Sequence, residues 1–340
     1  MPLVVPEPLE PQEIVGTARW LAQAYDASSD LMRFVAMEAE DYRAASFLDD
    51  RMFQQQRDVR VLPWPAVEAA MGDTGRENAR WIFHIGHVGS TLVARMLGEL
   101  PGVLGVREPR ILRDLALLPS DRREAMAPHV RRLMARTFAP DQRALVKTTS
   151  FVSEIAPLLV QTAGRAIFMF AGARSYIETI LAGENSVKEL HALAEFRGQR
   201  MVGRLPPMVT PTDAHRAAQA WACEMTALEG AAEAMPDRAI AWLDFDDFLA
   251  RPGELLDEMA GYLGLDPGHD EVERIVSGPL MRRYSKDIAF EYSPDLRREL
   301  QREARAMHAA DIESALAMLD DAGQSSGLLR RALDRSARRE

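Results

Sequence analysis

The chain has 340 residues, a formal net charge of −10 and 47% hydrophobic residues, the composition of an ordinary globular protein. The negative charge argues against a general nucleic-acid-binding protein, whose phosphate contacts need a basic face. A single cysteine, Cys223, excludes an internal disulfide framework and a cysteine-based zinc or iron–sulfur site.

The sequence contains no run of about 18 apolar residues, so we expect no membrane span. The segment Met1–Glu13 is acidic and rich in proline. It lacks the basic and apolar regions of a secretory signal. We therefore expect a cytoplasmic protein.

Residues 1–75 are predicted to form an N-terminal helical extension. The segments Ile14–Tyr25 and Ser29–Tyr42 carry apolar residues at helical spacing, which favours amphipathic helices. Loop residues at Pro63–Pro65 and around Gly72 are expected to end this region.

Residues 76–290 are predicted to form an α/β domain. Short apolar runs alternate with helical stretches, which favours right-handed crossovers and a parallel sheet. Strands buried on both faces explain the continuous apolar runs. The five predicted strands are Trp81–Ile85, Gly102–Val106, Ala144–Val146, Ala166–Phe170 and Ala239–Leu243.

The predicted fold class is therefore α/β, a P-loop-type three-layer fold with a central parallel β-sheet and helical additions at both ends. Residues 291–340 supply C-terminal helices, from Pro294 to about Asp321. A basic tail, Arg330–Arg339, follows them, and we expect it to fray.

The loop after the first predicted strand favours anion binding. Gly86 and Gly89 permit a tight turn and close approach of a ligand to the backbone. Ser90 and Thr91 begin a helix, where free N–H groups and the dipole attract an anion. No lysine follows Gly89, so the Walker pattern of ATPases and GTPases is absent. The alternative is a plain strand-to-helix turn capped by Ser90.

The segment His87–Thr91 resembles the first loop of sulfotransferases, P-[KR]-S-G-T-T. In that family the loop holds the 5′-phosphosulfate of 3′-phosphoadenosine 5′-phosphosulfate (PAPS). His87 stands where lysine or arginine is usual, and histidine is only partly charged near neutral pH. The resemblance implies PAPS as cofactor and 3′-phosphoadenosine 5′-phosphate (PAP) as product. It implies a binding loop formed by Gly86, His87, Val88, Gly89, Ser90 and Thr91.

Two further segments resemble catalytic segments of the family. Glu108 follows the second predicted strand, where tyrosylprotein sulfotransferases have a glutamate proposed as catalytic base. Lys147–Thr149 falls on the K-T-H of cytosolic sulfotransferases, whose histidine is the base, but Thr149 occupies that position here. Open α/β sheets place ligands at the carboxyl ends of their strands. The implied catalytic residues are therefore Glu108, as base, with His87 and Lys147.

The segment Leu243–Pro252, continued by Tyr262–Leu265, resembles the family's Y-E-D-L…P…FLGL segment. It is the most specific match, and its role is mainly structural. The resemblance spans about residues 80–290.

The match is poorest where the family binds the 3′-phosphate with R-x-P-x-D-x-x-x-S. Thr179 can replace the serine, whereas Ala171 cannot replace the arginine. We expect the missing charge to come from Arg174, one turn on, or from Arg283 and Lys286 in a later basic cluster.

The resemblance predicts transfer of a sulfonyl group from PAPS to a hydroxyl, or less often an amine, by in-line displacement. Glu108 would accept the proton, and fixed donors would stabilise the developing charge without a metal. The expected acceptor is a small molecule or a peptide. We also expect the segment Gly198–Asp213 to form a loop over the acceptor.

Two other functions stay open at this point. One is a kinase-like phosphotransferase with a degenerate phosphate loop. The other is a non-catalytic binding module with a decayed cofactor site, which the residues at His87, Thr149 and Ala171 favour.

Overall fold

The structure is a computed structural model that describes residues 10–54, 56–72, 75–265, 267–282 and 293–337. The N-terminal region contains a three-stranded antiparallel sheet, which contradicts the prediction of a helical extension over residues 1–75. Its strands, in the spatial order β1-β2-β3, are β1 (Trp20–Asp26), β2 (Leu31–Ala36) and β3 (Val59–Pro63). The accompanying helices are short: α1 (Pro11–Val15), α2 (Ala39–Ala44) and α3 (Trp64–Met71).

The helical prediction failed because β1 is buried along nearly its whole length rather than on alternate residues. A continuous apolar run fits a helix and a strand covered on both faces equally well. The residues of the turn that follows β1 could have indicated a strand pair instead of a helix. Asp26 accepts hydrogen bonds from Ser29 Oγ at 2.6 Å and Ser28 Oγ at 2.7 Å, which lower its pKa to about 2. Asp30 completes the turn with a φ of 54°, a conformation that aspartate tolerates better than most residues.

The five predicted strands of the α/β domain all form, and they form one parallel sheet. Their spatial order is β5-β6-β4-β7-β8. The predicted α/β fold with a central parallel sheet is thus confirmed. The strands are β4 (Arg80–His84), β5 (Val103–Arg107), β6 (Arg143–Lys147), β7 (Arg165–Phe170) and β8 (Ala239–Asp244).

Helices cover the sheet and build the rest of the domain, with α4 packing on β5 and β6. The long α11 packs against α8, α15 and α16, and α15 confirms the predicted C-terminal helix. No helix in the described part of the chain is long and apolar enough to cross a membrane. In chain order these helices are α4 (Ser90–Gly98), α5 (Arg110–Ala116), α6 (Ser120–Met134), α7 (Ala156–Leu159), α8 (Ala173–Leu181), α9 (Glu184–Ala192), α10 (Ala194–Met201), α11 (Asp213–Glu233), α12 (Phe245–Ala250), α13 (Pro252–Tyr262), α14 (His269–Val276), α15 (Pro294–Gly323) and α16 (Gly327–Ala337).

The basic segment expected to fray is instead part of α16, as far as the described residues extend. Leu329 and Ala332 are buried. Arg335 donates a hydrogen bond to Glu229 Oε1 at 2.7 Å and lies over the Trp242 ring at 3.6 Å. Apolar residues at helical spacing fix this segment, although its net charge is positive.

The sheet brings three chain segments together at one edge. Strand β4 pairs with β6, and β6 pairs with β5, so the segments that follow their carboxyl ends are neighbours. These segments begin at Ile85, Glu108 and Thr148. This edge is where open α/β sheets bind ligands.

Candidate active site

The loop between β4 and α4 turns through three residues with positive φ. Gly86 has a φ of 79°, His87 of 53° and Gly89 of 59°. Residues other than glycine rarely adopt this backbone conformation. At Gly89 there is also no room, because an added Cβ would lie 1.9 Å from Cζ of the buried Phe245. Both conformation and packing therefore require glycine at this position.

Gly89→Ala should lower the free energy of unfolding by about 2–4 kcal/mol, the sum of overpacking and a left-handed alanine. Gly203 is a matched control, because it has a φ of 76° and no atom within 4 Å of an added Cβ. Gly203→Ala should cost only about 1–2 kcal/mol. Urea denaturation of both variants measures the difference. Equal losses of unfolding free energy in the two variants would show that the Phe245 ring can move aside, and that its packing does not fix the loop.

The amide groups of this loop are available to an anion. Among the described residues, the N–H groups of His87, Val88, Gly89, Ser90 and Thr91 donate to no partner. The preceding amide, of Gly86, donates to His84 Nδ1 at 2.9 Å, and His84 Nε2 lies 2.8 Å from Thr148 O. These contacts place the proton on Nε2 and fix the loop to the end of β6. His84 is thus the buried, satisfied histidine expected of a strand position, and it also shapes the loop.

Glu108, Lys147 and Thr91 meet at the end of the loop, although they come from three separate chain segments: the residue after β5, the last residue of β6 and the first turn of α4. The Lys147 ammonium donates to Glu108 Oε1, and its Nζ lies 3.3 Å from Thr91 Oγ1. Lys147 is 1% exposed, so Glu108 neutralises a charge that would be costly to bury alone. Glu108 itself has a φ of 51°. Strain of this kind in a residue other than glycine is found most often at functional sites.

The N-terminal region contributes side chains that the sequence did not predict. Arg51 Nη2 lies 3.4 Å from Glu108 Oε2, and its guanidinium stacks on the Phe47 ring at 3.4 Å. The buried Arg107 holds this region in place by donating to the carbonyls of Tyr42 and Ala45. Desolvation lowers the pKa of Arg107 to about 10. Phe47, Asp49, Asp50 and Arg51 of the N-terminal region therefore line the site.

A second polar cluster surrounds Thr179, which was predicted to bind the 3′-phosphate. The arginine of this cluster, Arg297, was not predicted from the sequence. Arg297 Nη2 lies 3.2 Å from both Ser175 Oγ and Thr179 Oγ1. Gln301 Nε2 donates to the same hydroxyls at 2.9 and 3.0 Å. Arg297 is buried and also pairs with Asp246. Both donors come from α15, about 120 residues beyond Thr179, so no local sequence motif could predict them.

Of the three cations predicted for the 3′-phosphate, Arg174 is the one that the structure describes, and it does not lie in this cluster. Arg174 is held outside the cavity by Glu313, with nitrogen–oxygen distances of 2.7 and 3.1 Å. It begins α8 and points toward α15, which the sequence pattern could not show. Arg283 and Lys286 lie outside the described residues.

His87 is directed toward α9. Its Nε2 lies 3.4 Å from Glu189 Oε1, and its Nδ1 lies 3.4 Å from Ser186 Oγ. It lines the same cavity as Lys147 and Glu108, but its hydrogen-bond contacts are with α9. A catalytic role for His87 stays a prediction.

One cavity is lined by Gly86, His87, Gly89, Ser90 and Thr91 of the loop, by Glu108 and Lys147, by Phe47 and Arg51, and by Thr179, Arg297 and Gln301; its volume is about 1000 Å³. This is the upper end of the range for ligand pockets. The predicted loop over the acceptor, Gly198–Asp213, is partly helical, and its irregular part does not line the cavity. The wall instead uses Leu193, Phe196 and Arg197 of the preceding segment, together with Arg200 from the helical part of the predicted loop.

The cavity wall is formed by the N-terminal region, the loop, the strand ends and α9, α10, α11 and α15. Its polar and charged residues are Asp49, Asp50, Arg51, His84, His87, Ser90, Thr91, Glu108, Arg113, Lys147, Thr149, Ser150, Thr179, Asn185, Ser186, Glu189, Arg197, Arg200, Glu224, Arg297 and Gln301. No cluster of three possible metal ligands occurs in the described ranges.

No protein-family profile and no curated protein matches the sequence. Several solved structures resemble the chain, and sulfotransferases are among them. The sulfotransferase domain from the curacin biosynthetic pathway is 13% identical, with a TM-score of 0.41, over 65% of this chain and 85% of that one. Mouse sulfotransferase SULT7A1, solved with PAP, is 14% identical, with a TM-score of 0.42, over 76% and 89%.

The sulfotransferase from Alicyclobacillus acidocaldarius is 15% identical, with a TM-score of 0.36, over 73% of this chain and 96% of that one. These identities are too low to carry an activity or a substrate over to this chain.

Proposed function

We propose that the protein transfers a sulfonyl group from PAPS to a hydroxyl, or less often an amine, of an acceptor. The observation that carries the proposal is the meeting of Thr91, Glu108 and Lys147 beside the Gly86–Thr91 loop. A carboxylate, a buried cation and a loop of free amides share one cavity there. These are the groups that proton removal and stabilisation of a negative charge require.

The residues present fit both anionic ends of PAPS. The free amides of His87 to Thr91, at the start of α4, would hold the 5′-phosphosulfate. Arg297 and Gln301, with the Thr179 hydroxyl, would hold the 3′-phosphate. Arginine on α15 thus compensates for Ala171, whose side chain is buried and has no charge.

When bound, PAPS supplies the sulfonyl group, and transfer leaves negative charge on the departing phosphate. Glu108 is the carboxylate of the strand edge that would take the proton of the acceptor hydroxyl. Lys147, between Glu108 and Thr91, lies where a buried ammonium can stabilise charge on either side. Arg51 orients the second oxygen of Glu108 from the N-terminal region.

Titration calorimetry with PAP and with ATP tests this function. We expect PAP to bind at least about 100-fold more tightly than ATP, because the 3′-phosphate gains charge-assisted contacts worth about 3 kcal/mol. Incubation with radiolabelled PAPS and a panel of phenols should then give labelled product. Tighter binding of ATP would indicate a phosphotransferase. Binding of neither nucleotide would indicate a non-catalytic module.

A further inference from the structure

Helix α10 presents an arginine cluster to the cavity, on the wall formed with α11. Arg200 donates to both oxygens of the buried Glu224, at 2.7 and 2.9 Å, and to Glu154 at 2.9 Å. Arg204 shares Glu154, at 2.9 Å. Both carboxylates are therefore taken by these two arginines.

Arg197 is the third cation of this cluster and is poorly satisfied. It is 6% exposed and lines the cavity. Its Nε lies 3.6 Å from Glu224 Oε1, beyond hydrogen-bond distance. Its Nε and Nη1 are buried without a hydrogen-bond partner among the described residues. Burying a guanidinium in this way is costly unless a further acceptor completes the site.

The other ionisable groups near Arg197 do not complete it by hydrogen bonds. The Tyr176 hydroxyl is buried and likewise lacks a partner in the described structure. Burial raises the pKa of the Cys223 thiol to about 11, so this group is neutral at physiological pH. Glu189, also on this wall, is half exposed and lies beside His87. The three arginines and two carboxylates of the cluster leave one positive charge in excess.

Aromatic side chains adjoin the arginine cluster through Arg200. Phe151 and Phe196 pack edge to face with ring centroids 5.2 Å apart, and both line the cavity with Leu193. The Arg200 guanidinium lies over both rings, at 5.9 and 5.5 Å. An apolar floor next to one surplus cation suits a ligand that has an apolar body and one negative charge. A carboxylate matches a single surplus charge better than a phosphate monoester, whose charge is near −2 at pH 7.

We propose that Arg197 binds a carboxylate of the acceptor, so that the substrate class is an apolar or aromatic hydroxy acid whose body packs on Phe151 and Phe196. This inference rests on the proposed function and specifies its acceptor. The acceptor's hydroxyl would reach Glu108, which lines the same cavity.

The test compares 3-(4-hydroxyphenyl)propionate with its neutral amide, which has nearly the same shape. By calorimetry, we expect the wild-type protein to bind the carboxylate at least about tenfold more tightly. Arg197→Met should abolish this preference. Arg251→Met is the matched control, because Arg251 is an exposed arginine paired with Glu254 outside the cavity, and it should keep the preference. A wild-type protein that binds neither probe, or does not prefer the carboxylate, overturns the inference, as does a preference that survives in Arg197→Met.

Thermal unfolding separates this role from a structural one. Arg197→Met should unfold at the wild-type temperature or above it, because it removes a poorly satisfied buried charge. Arg200→Met should unfold several degrees lower, because it leaves Glu224 without its two hydrogen bonds. A large loss of stability in Arg197→Met would instead make Arg197 a structural residue.

Failure of the proposed function would give a different result. If PAP does not bind but the carboxylate preference depends on Arg197, the acid-binding site stands and sulfonyl transfer falls. If radiolabelled PAPS modifies both probes equally well, with equal KM, the transferase stands and this inference falls.

Discussion

Glu108→Gln should reduce kcat for sulfonyl transfer by about 10²–10⁴-fold, the usual contribution of a general base. Glutamine keeps the shape and can still bond Arg51, but it cannot take a proton from the acceptor. The affinity for PAP should change by less than about threefold, because the proposed phosphate contacts come from the loop and from Arg297. Initial rates with radiolabelled PAPS, and calorimetry with PAP, measure the two quantities.

The same substitution also leaves Lys147 buried without its carboxylate, which can lower stability by about 3–5 kcal/mol. The double variant Glu108→Gln/Lys147→Met removes this unpaired charge. It should recover stability without recovering turnover, which separates catalysis from folding. Recovery of turnover in the double variant would remove Glu108 from the mechanism.

Asp50→Asn is the matched carboxylate control for Glu108. Asp50 lines the same cavity but pairs with Arg110 at 2.6 Å and Arg33 at 2.7 Å. We expect kcat within about threefold of wild type, because a half-exposed ion pair of this kind contributes little. If kcat falls as much in Asp50→Asn as in Glu108→Gln, turnover depends on the total negative charge of the cavity and not on one general base.

Arg297→Met should weaken binding of PAP by about 50–100-fold, the cost of about 2–3 kcal/mol for losing a charge-assisted contact to a buried phosphate. Binding of adenosine 5′-phosphate, which lacks the 3′-phosphate, should change by less than about threefold. The ratio of the two dissociation constants isolates the 3′-phosphate from the rest of the nucleotide. Calorimetry with both nucleotides measures this ratio.

Arg174→Met is the control that decides between the two arginines. Arg174 was the sequence's candidate for the 3′-phosphate, but in the structure it pairs with Glu313 outside the cavity. Its loss should leave the PAP dissociation constant within about twofold of wild type. A larger effect for Arg174→Met than for Arg297→Met would return the 3′-phosphate to the position that the family motif suggests.

The parts of the site that sequence reasoning predicted are local. Each of the five predicted strands forms, because an apolar run of about five residues between turns is long enough for a strand and too short for a helix. The loop from Gly86 to Thr91 was identified for a similar reason, since its glycines, hydroxyls and following helix are consecutive. The pairing of Glu108 with Lys147 could be anticipated from topology alone, because neighbouring parallel strands end at the same edge.

Prediction failed where burial or long-range contact decided the outcome. Residues Trp20 to Tyr25 were predicted as part of a helix because a strand buried on both faces has no alternating pattern. Arg51 and Arg297 enter the cavity from segments on either side of the α/β domain, and their spacing from the loop in sequence carries no signal. Arg197 is distinguished only by the lack of acceptors around it, which a sequence cannot express.

The amino-acid sequence alone thus determined the sheet, the glycine-containing loop and the carboxylate beside it, since short-range patterning and strand topology are enough to specify them. Only the tertiary structure decided which arginines face the cavity. An arginine side chain is long, and its guanidinium can be hydrated at almost any exposed position. Its place in the sequence is therefore equally compatible with a surface ion pair and with a ligand contact. Folding separates the two roles, because it places Glu313 against Arg174 and leaves Arg197 beside carboxylates that other arginines already hold.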